Sequence, residues 1–196
     1  MDHDKTAPSA PAPSSGSAQK GTVVAGRFTL EAEAGRGGMG TVYRAIDAST
    51  GRPVALKLLH SVASPQAAMR FNREAVLLEG LHHPAIVSYV AHGTLDNGQP
   101  YLAMEWLEGE DLTHRLLRQP LTLSEVVSLL RRAAEGLATA HRQGIVHRDL
   151  KPSNLFLRQG RLEEVVVLDF GLARHILASQ SMTGSSTVLG TPAYMA

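Results

Sequence analysis

Between His147 and Asn154 the chain reads H-R-D-L-K-P-S-N, and fifteen residues after that Asn comes Asp169-Phe170-Gly171. This pair of strings constrains the fold more than any other feature. Asp149 stands in a tight loop containing a proline, and Asn154 and Asp169 carry hard oxygen atoms at a spacing able to share a metal–phosphate site. For those oxygens to meet, short strands must flank the loop and bring Asp169 back to it. Either string alone recurs by chance. Both together, in order, point to one site.

Upstream, Gly35-Arg36-Gly37-Gly38-Met39-Gly40-Thr41-Val42 contains G-x-G-x-x-G-x-V. Glycines let backbone amides approach phosphate oxygens with no side chain in the way. An ordinary glycine-rich hairpin has the same composition, and a dinucleotide fingerprint sets such glycines between a strand and a helix, as in NAD-dependent oxidoreductases. The residues after Gly40 are strand-like, which favours a flap between two strands. Arg27 to Glu33 and Thr41 to Asp47 are predicted as those strands, and Val54 to Leu59 as a third. Alternation puts Ala55 and Lys57 on one side of it.

Ser64-Pro65 opens a helix expected to run to about Leu81. Phe71, Glu74 and Leu78 form one row, setting a carboxylate inside an apolar stripe, which is costly unless it is paired. Lys57 is one partner for Glu74; Arg70, one turn earlier, is the other. Ile86 to Ala91 and Tyr101 to Leu107 are predicted as a hairpin turned at Asp96-Asn97-Gly98. Thr122 and Glu125 fit a capping box, and Val127, Leu130, Ala134, Leu137 and His141 follow at 3,4 spacing until Gly144.

In combination these strings resemble the catalytic domain of bacterial, eukaryotic-like Ser/Thr protein kinases, over roughly Arg27 to Ala196. Gly37-Gly38-Met39-Gly40 is similar to the form common in bacterial members. The resemblance implies an α+β, protein-kinase-like fold: an antiparallel-sheet N-lobe with one helix over about residues 26–107, then the start of a helical C-lobe over about 108–196. It implies a signalling transferase that moves the γ-phosphate of ATP to Ser or Thr hydroxyls of protein substrates, with Mg²⁺. Asp149 would accept the proton of the attacking hydroxyl, Lys151 would reach the transferred phosphate, and Asn154 and Asp169 would hold the metal. Lys57 and Glu74 would form the strand–helix ion pair. Gly35, Gly37, Gly40, Val42, Ala55, Met104, Glu105, Leu107, Asp111 and Phe156 would surround the nucleotide. Thr183 or Ser185, once phosphorylated, would pair with Arg148, and Thr191 would lie near the base.

Composition narrows the classes. With 196 residues and 43% apolar content, one sizeable core or two small lobes are affordable. A net charge of +1 gives no basic footprint for nucleic acid, and the lack of cysteine excludes disulfides and suits a reducing cytoplasm. Apolar runs are strand-sized, and no signal peptide is expected at the start. Residues 1–25, rich in Ala, Pro, Ser and Gly, are expected to be a disordered tail, with order beginning near Arg27. The end at Tyr194-Met195-Ala196 comes where kinases continue into Pro-Glu, so the expectation is a domain truncated before the end of its activation segment. The Val127–His141 helix would then leave apolar surface open to water, favouring self-association. An inactive, nucleotide-binding regulatory fragment is the alternative functional reading.

Overall fold

The computed structural model describes residues 19–37, 40–59 and 65–170. The segment expected to carry phosphorylation, with Thr183, Ser185 and Thr191, lies outside the described residues. Period-two sequence in the first half builds β1 (Val23–Val24), β2 (Phe28–Gly37), β3 (Gly40–Asp47), β4 (Arg52–Leu59), β5 (Tyr89–Thr94) and β6 (Pro100–Glu105). They pair antiparallel in the order β1-β2-β3-β4-β6-β5.

A sheet with side chains alternating up and down has two faces to bury. On one, Val54, Leu56 and Leu58 pack with Phe28, Leu30, Tyr43, Ala45 and Ala103. On the other, Leu59, Leu102 and Met104 pack against Phe71 of α1 (Pro65–Glu79). In α1, Phe71 and Ala75 are buried and Leu78 is half-buried, so the helix row read from sequence does face the sheet.

The second half forms β7 (Gly109–Asp111), α2 (Leu112–Arg118), α3 (Leu123–Arg142), β8 (Leu155–Arg158) and β9 (Val165–Val167), with the small sheet ordered β7-β8-β9. The capping box at Thr122 forms: the Glu125 N–H donates to Thr122 Oγ1 at 3.3 Å, and the Thr122 N–H donates to Glu125 Oε2 at 2.8 Å. Gly144, at φ 74, ends the helix as expected.

Four expectations are corrected. Order begins before Arg27, because Val24 is buried and β1 folds back on Phe28 through Ala25 and Gly26. The strand expected from Ile86 starts instead at Tyr89, since Ile86 bridges to Val167 and the Val87 N–H donates to the Val167 carbonyl at 3.1 Å. Helix α2 was not foreseen; Asp111 caps it, accepting from the His114 N–H at 3.0 Å. Finally, α3 buries Leu129, Ala133, Gly136 and Ala140, whereas Val127 and Leu130 are 58% and 55% exposed. Both rows of α3 are apolar, and the smaller one lies against the second sheet because the backbone of Ala85 approaches closely. A Cβ at Gly136 would stand 3.1 Å from the Ala85 carbonyl oxygen.

One buried carboxylate pins the first sheet. Asp47 accepts from Arg27 through both oxygens at 2.7 and 2.8 Å, and from the Ser49 N–H and hydroxyl at 3.0 and 2.7 Å. Bonding to the Arg27 guanidinium holds its carboxyl well below the usual carboxylate range. Asp47→Asn is expected to reduce unfolding free energy by about 2 kcal/mol at neutral pH, read from urea denaturation. That advantage of the native residue should shrink as pH falls below about 4, where the unfolded carboxyl protonates before the folded one. Equal midpoints for both proteins at neutral pH would refute the assignment.

Candidate active site

Register places the first group of site residues. Val42 lies opposite Lys57, Lys57 opposite Leu102, and Ala55 opposite Met104, so all five share the face that α1 closes. Gly35 pairs with Val42 and Gly37 with Gly40, at the end of the same hairpin. The sequence must have glycine at 40, because a Cβ there would sit on the carbonyl oxygen of Leu58 in β4. Val42 and Ala55 are half-buried, and Met104 is buried beside Leu59 and Phe71.

Lys57 is only 8% exposed, and its ammonium donates to Asp169 Oδ2 at 2.7 Å. Glu74, the partner expected from the helix row, is half-buried on α1 and itself engaged; the ammonium is held by Asp169.

Leu168 explains how Asp169 arrives there. Its N–H donates to the Asn154 carbonyl at 2.9 Å, and its carbonyl accepts from His147 Nε2 at 2.7 Å. One residue thus ties the loop of Asp149 and Asn154 to the segment of Asp169. Sequence reading missed this, since an apolar side chain gives no hint that its backbone is the clasp. The His147 ring also packs on Phe170 at 4.9 Å between centroids, and its Nδ1 accepts the Asp149 N–H at 3.3 Å. With Nε2 donating and Nδ1 accepting, the ring is neutral, and burial pushes its pKa down.

Inside the loop, Asn154 Nδ2 donates to the Asp149 carbonyl at 2.7 Å and lies 3.4 Å from Asp149 Oδ2. The Lys151 ammonium lies 3.0 Å from the same oxygen. Arg148 at φ 62 and Asp169 at φ 50 both occupy the left-handed region. Non-glycine residues pay a steric cost there, and such strain persists where surrounding bonds over-determine it.

Farther out, Phe156 on β8 lies opposite Asp111 on β7, and both are half-buried. Asp111 Oδ1 is spent on capping α2, and its Oδ2 lies 2.7 Å from His114 Nδ1. Among the described residues, no cluster of three or more His, Cys, Asp or Glu could hold a metal by itself. One amide and one carboxylate instead match an ion that keeps waters and phosphate oxygens, which is the habit of Mg²⁺.

Comparison with known proteins finds relatives over most of the chain. Residues 28–196 match the protein kinase domain family. The chain is 44% identical over 178 residues to the serine/threonine-protein kinase pkn2 of Myxococcus xanthus, covering 88% of this chain and 21% of that protein. It is 40% identical over 172 residues to the serine/threonine-protein kinase PknL of Mycobacterium tuberculosis, covering 86% and 42%. The crystal structure of the M. tuberculosis PknI kinase domain superposes with a TM-score of 0.72 at 32% identity, covering 80% of this chain and 62% of that one. The chain therefore spans less than half the length of these two relatives.

Because His147 is neutral when folded and titrates near pH 6.5 when unfolded, stability should decline as pH falls below about 6.5. His147→Gln, which keeps a donor toward Leu168 without titrating, should show a smaller loss between pH 8 and pH 5.5 in urea melts. An identical loss in both proteins would remove His147 as the cause.

Proposed function

The chain belongs to the protein kinase domain family, and on that premise we propose that it transfers the γ-phosphate of ATP to serine or threonine hydroxyls of protein substrates. The observation that carries this reading is the meeting of Lys57 with Asp169 at 2.7 Å, beside a loop where Asn154 and Lys151 both address Asp149. Side chains from two halves of the polypeptide meet here, which supports a site for a triphosphate.

Asp149, with its carboxylate largely shielded from water, is the group to orient the attacking hydroxyl and take its proton. Lys151 compensates negative charge beside it, and Lys57 supplies a fixed cation to the nucleotide phosphates. Asn154 and Asp169 would hold Mg²⁺, which when bound neutralises phosphate charge. Glu74 would take over the Lys57 ammonium when Asp169 turns to the metal. The hairpin from Gly35 through Gly37 to Gly40 offers backbone amides to the phosphates. Val42, Ala55 and Phe156 would sandwich the base, Met104 would limit the pocket's depth, Glu105 to Leu107 would meet the base edge, and Asp111 would lie toward the ribose.

No helix among the described residues is long and apolar enough to cross a membrane. A cytoplasmic setting is proposed for it, with protein substrates and ATP as partners. The exposed Val127 and Leu130 on α3 favour self-association.

Radiolabel transfer from ATP to a generic protein substrate is the test. Lys57→Met and Asp149→Asn should each lower transfer by at least about 10²-fold with unchanged far-ultraviolet circular dichroism. Nucleotide binding without any transfer by the native chain would favour the regulatory-fragment reading, and undiminished transfer by either variant would overturn the assigned roles.

A further inference from the structure

Glu105 would meet the base through its backbone, and its side-chain carboxylate makes a separate set of bonds. Glu105 ends β6, where the chain leaves the first sheet for the second. Its Oε1 accepts both the N–H and the hydroxyl of Ser88, at 2.9 and 3.1 Å, and its own N–H donates to the Ser88 carbonyl at 2.9 Å. Ser88 follows a segment already bound to the second sheet. There the Val167 N–H donates to the Ala85 carbonyl at 2.9 Å, and the Val87 N–H to the Val167 carbonyl at 3.1 Å. Arg158 completes the set, with Nη2 at 3.3 Å from both Glu105 oxygens.

The position of Arg158 matters. It is the last residue of β8 and lies opposite Gly109, where the crossing chain enters the second sheet as β7. A Cβ at Gly109 would overlap the Leu157 carbonyl oxygen, so the chain enters tightly against β8 at this point. One carboxylate therefore joins three segments: the crossing chain, the Ala85–Ser88 linker and the end of β8. Among the described residues, only Arg158 reaches it from the second sheet's strands.

We infer that Arg158 is a positioning residue: through Glu105 it fixes the angle between the two lobes and so holds the crossing backbone in register for a nucleotide. The nucleotide half of this statement rests on the proposed kinase function; the tether does not. Arg158 is 38% exposed and its bonds are long, so its contribution to folding stability is small. Its effect falls on geometry. Ser88 has already ordered the Glu105 carboxylate, so that carboxylate loses little further freedom on binding Arg158, and without Arg158 it keeps its Ser88 bonds but loses its direct tie to β8.

The absence of cysteine makes the test direct. Cysteines placed at Arg52 on the first sheet and Glu135 on α3, both exposed, can be spin-labelled and their separation measured by double electron–electron resonance. Arg158→Met should broaden that distance distribution and weaken binding of Mg²⁺ with a non-hydrolysable ATP analogue about three- to fivefold, the scale of one partly exposed ion pair. Its urea midpoint should stay unchanged, and Arg158→Lys should restore both readouts. Glu105→Gln, which keeps an acceptor for Ser88, should broaden the distribution in the same way. An unchanged width in Arg158→Met and Glu105→Gln overturns the tether. Weaker binding at unchanged width would mean that Arg158 does not act through lobe geometry, which also overturns it. Failure of the doubly labelled parent to bind the analogue would sink the kinase reading, leaving the width measurement to decide the tether.

Discussion

An ammonium buried as deeply as that of Lys57 needs an anion, and here the anion comes from 112 residues further along the chain. Left alone in the interior, such a charge would cost several kcal/mol or lose its proton. A pair wholly in water would be worth less than about 1 kcal/mol. Lys57 is shut in while Asp169 is 38% exposed, so the bond lies between those limits. It acts as a locator: it brings the first sheet's inner face and the segment after β9 to one point, and leaves part of the carboxylate open to solvent.

Asp169 holds that position because of bonds made by its neighbour. Leu168 is fastened on both sides, to Asn154 and to His147, which in turn receives the Asp149 N–H. These bonds balance the strain of two left-handed residues, Arg148 and Asp169, each costing on the order of 1 kcal/mol. The neutral state of His147 belongs to the same economy, since a buried imidazolium could not accept the amide of Asp149. Chemistry and backbone geometry are thus one network, and a change to any of its members is felt at the oxygens of Asp149 and Asp169.

Much of this was legible in the residues. Alternation along Val54 to Leu59 put Ala55 and Lys57 on one face, and the register keeps them there with Val42 and Met104. The capping box at Thr122 and the glycine at 144 marked the ends of α3 correctly. What misled was degeneracy. Two rows of α3 are apolar, and periodicity alone cannot say which one meets the protein; the small side chains of Ala133, Gly136 and Ala140 do, because the Ala85 backbone comes close. Helix α2 is too short to show in the periodicity, and in the sequence its cap Asp111 reads only as one of the residues around the nucleotide.

The linear order of residues determined by itself that the chain belongs to the protein kinase domain family, and which oxygens, cations and glycines are candidates for its site. That holds because reactive groups are properties of side chains, and their spacing in a loop is nearly local. Only the tertiary structure decided which charges meet. Lys57 found Asp169, and Glu105 found Ser88 and Arg158, because strand register and the crossing of the two sheets brought them within bonding distance. Such pairings depend on where distant backbone segments lie in space, and no periodicity along the chain records that.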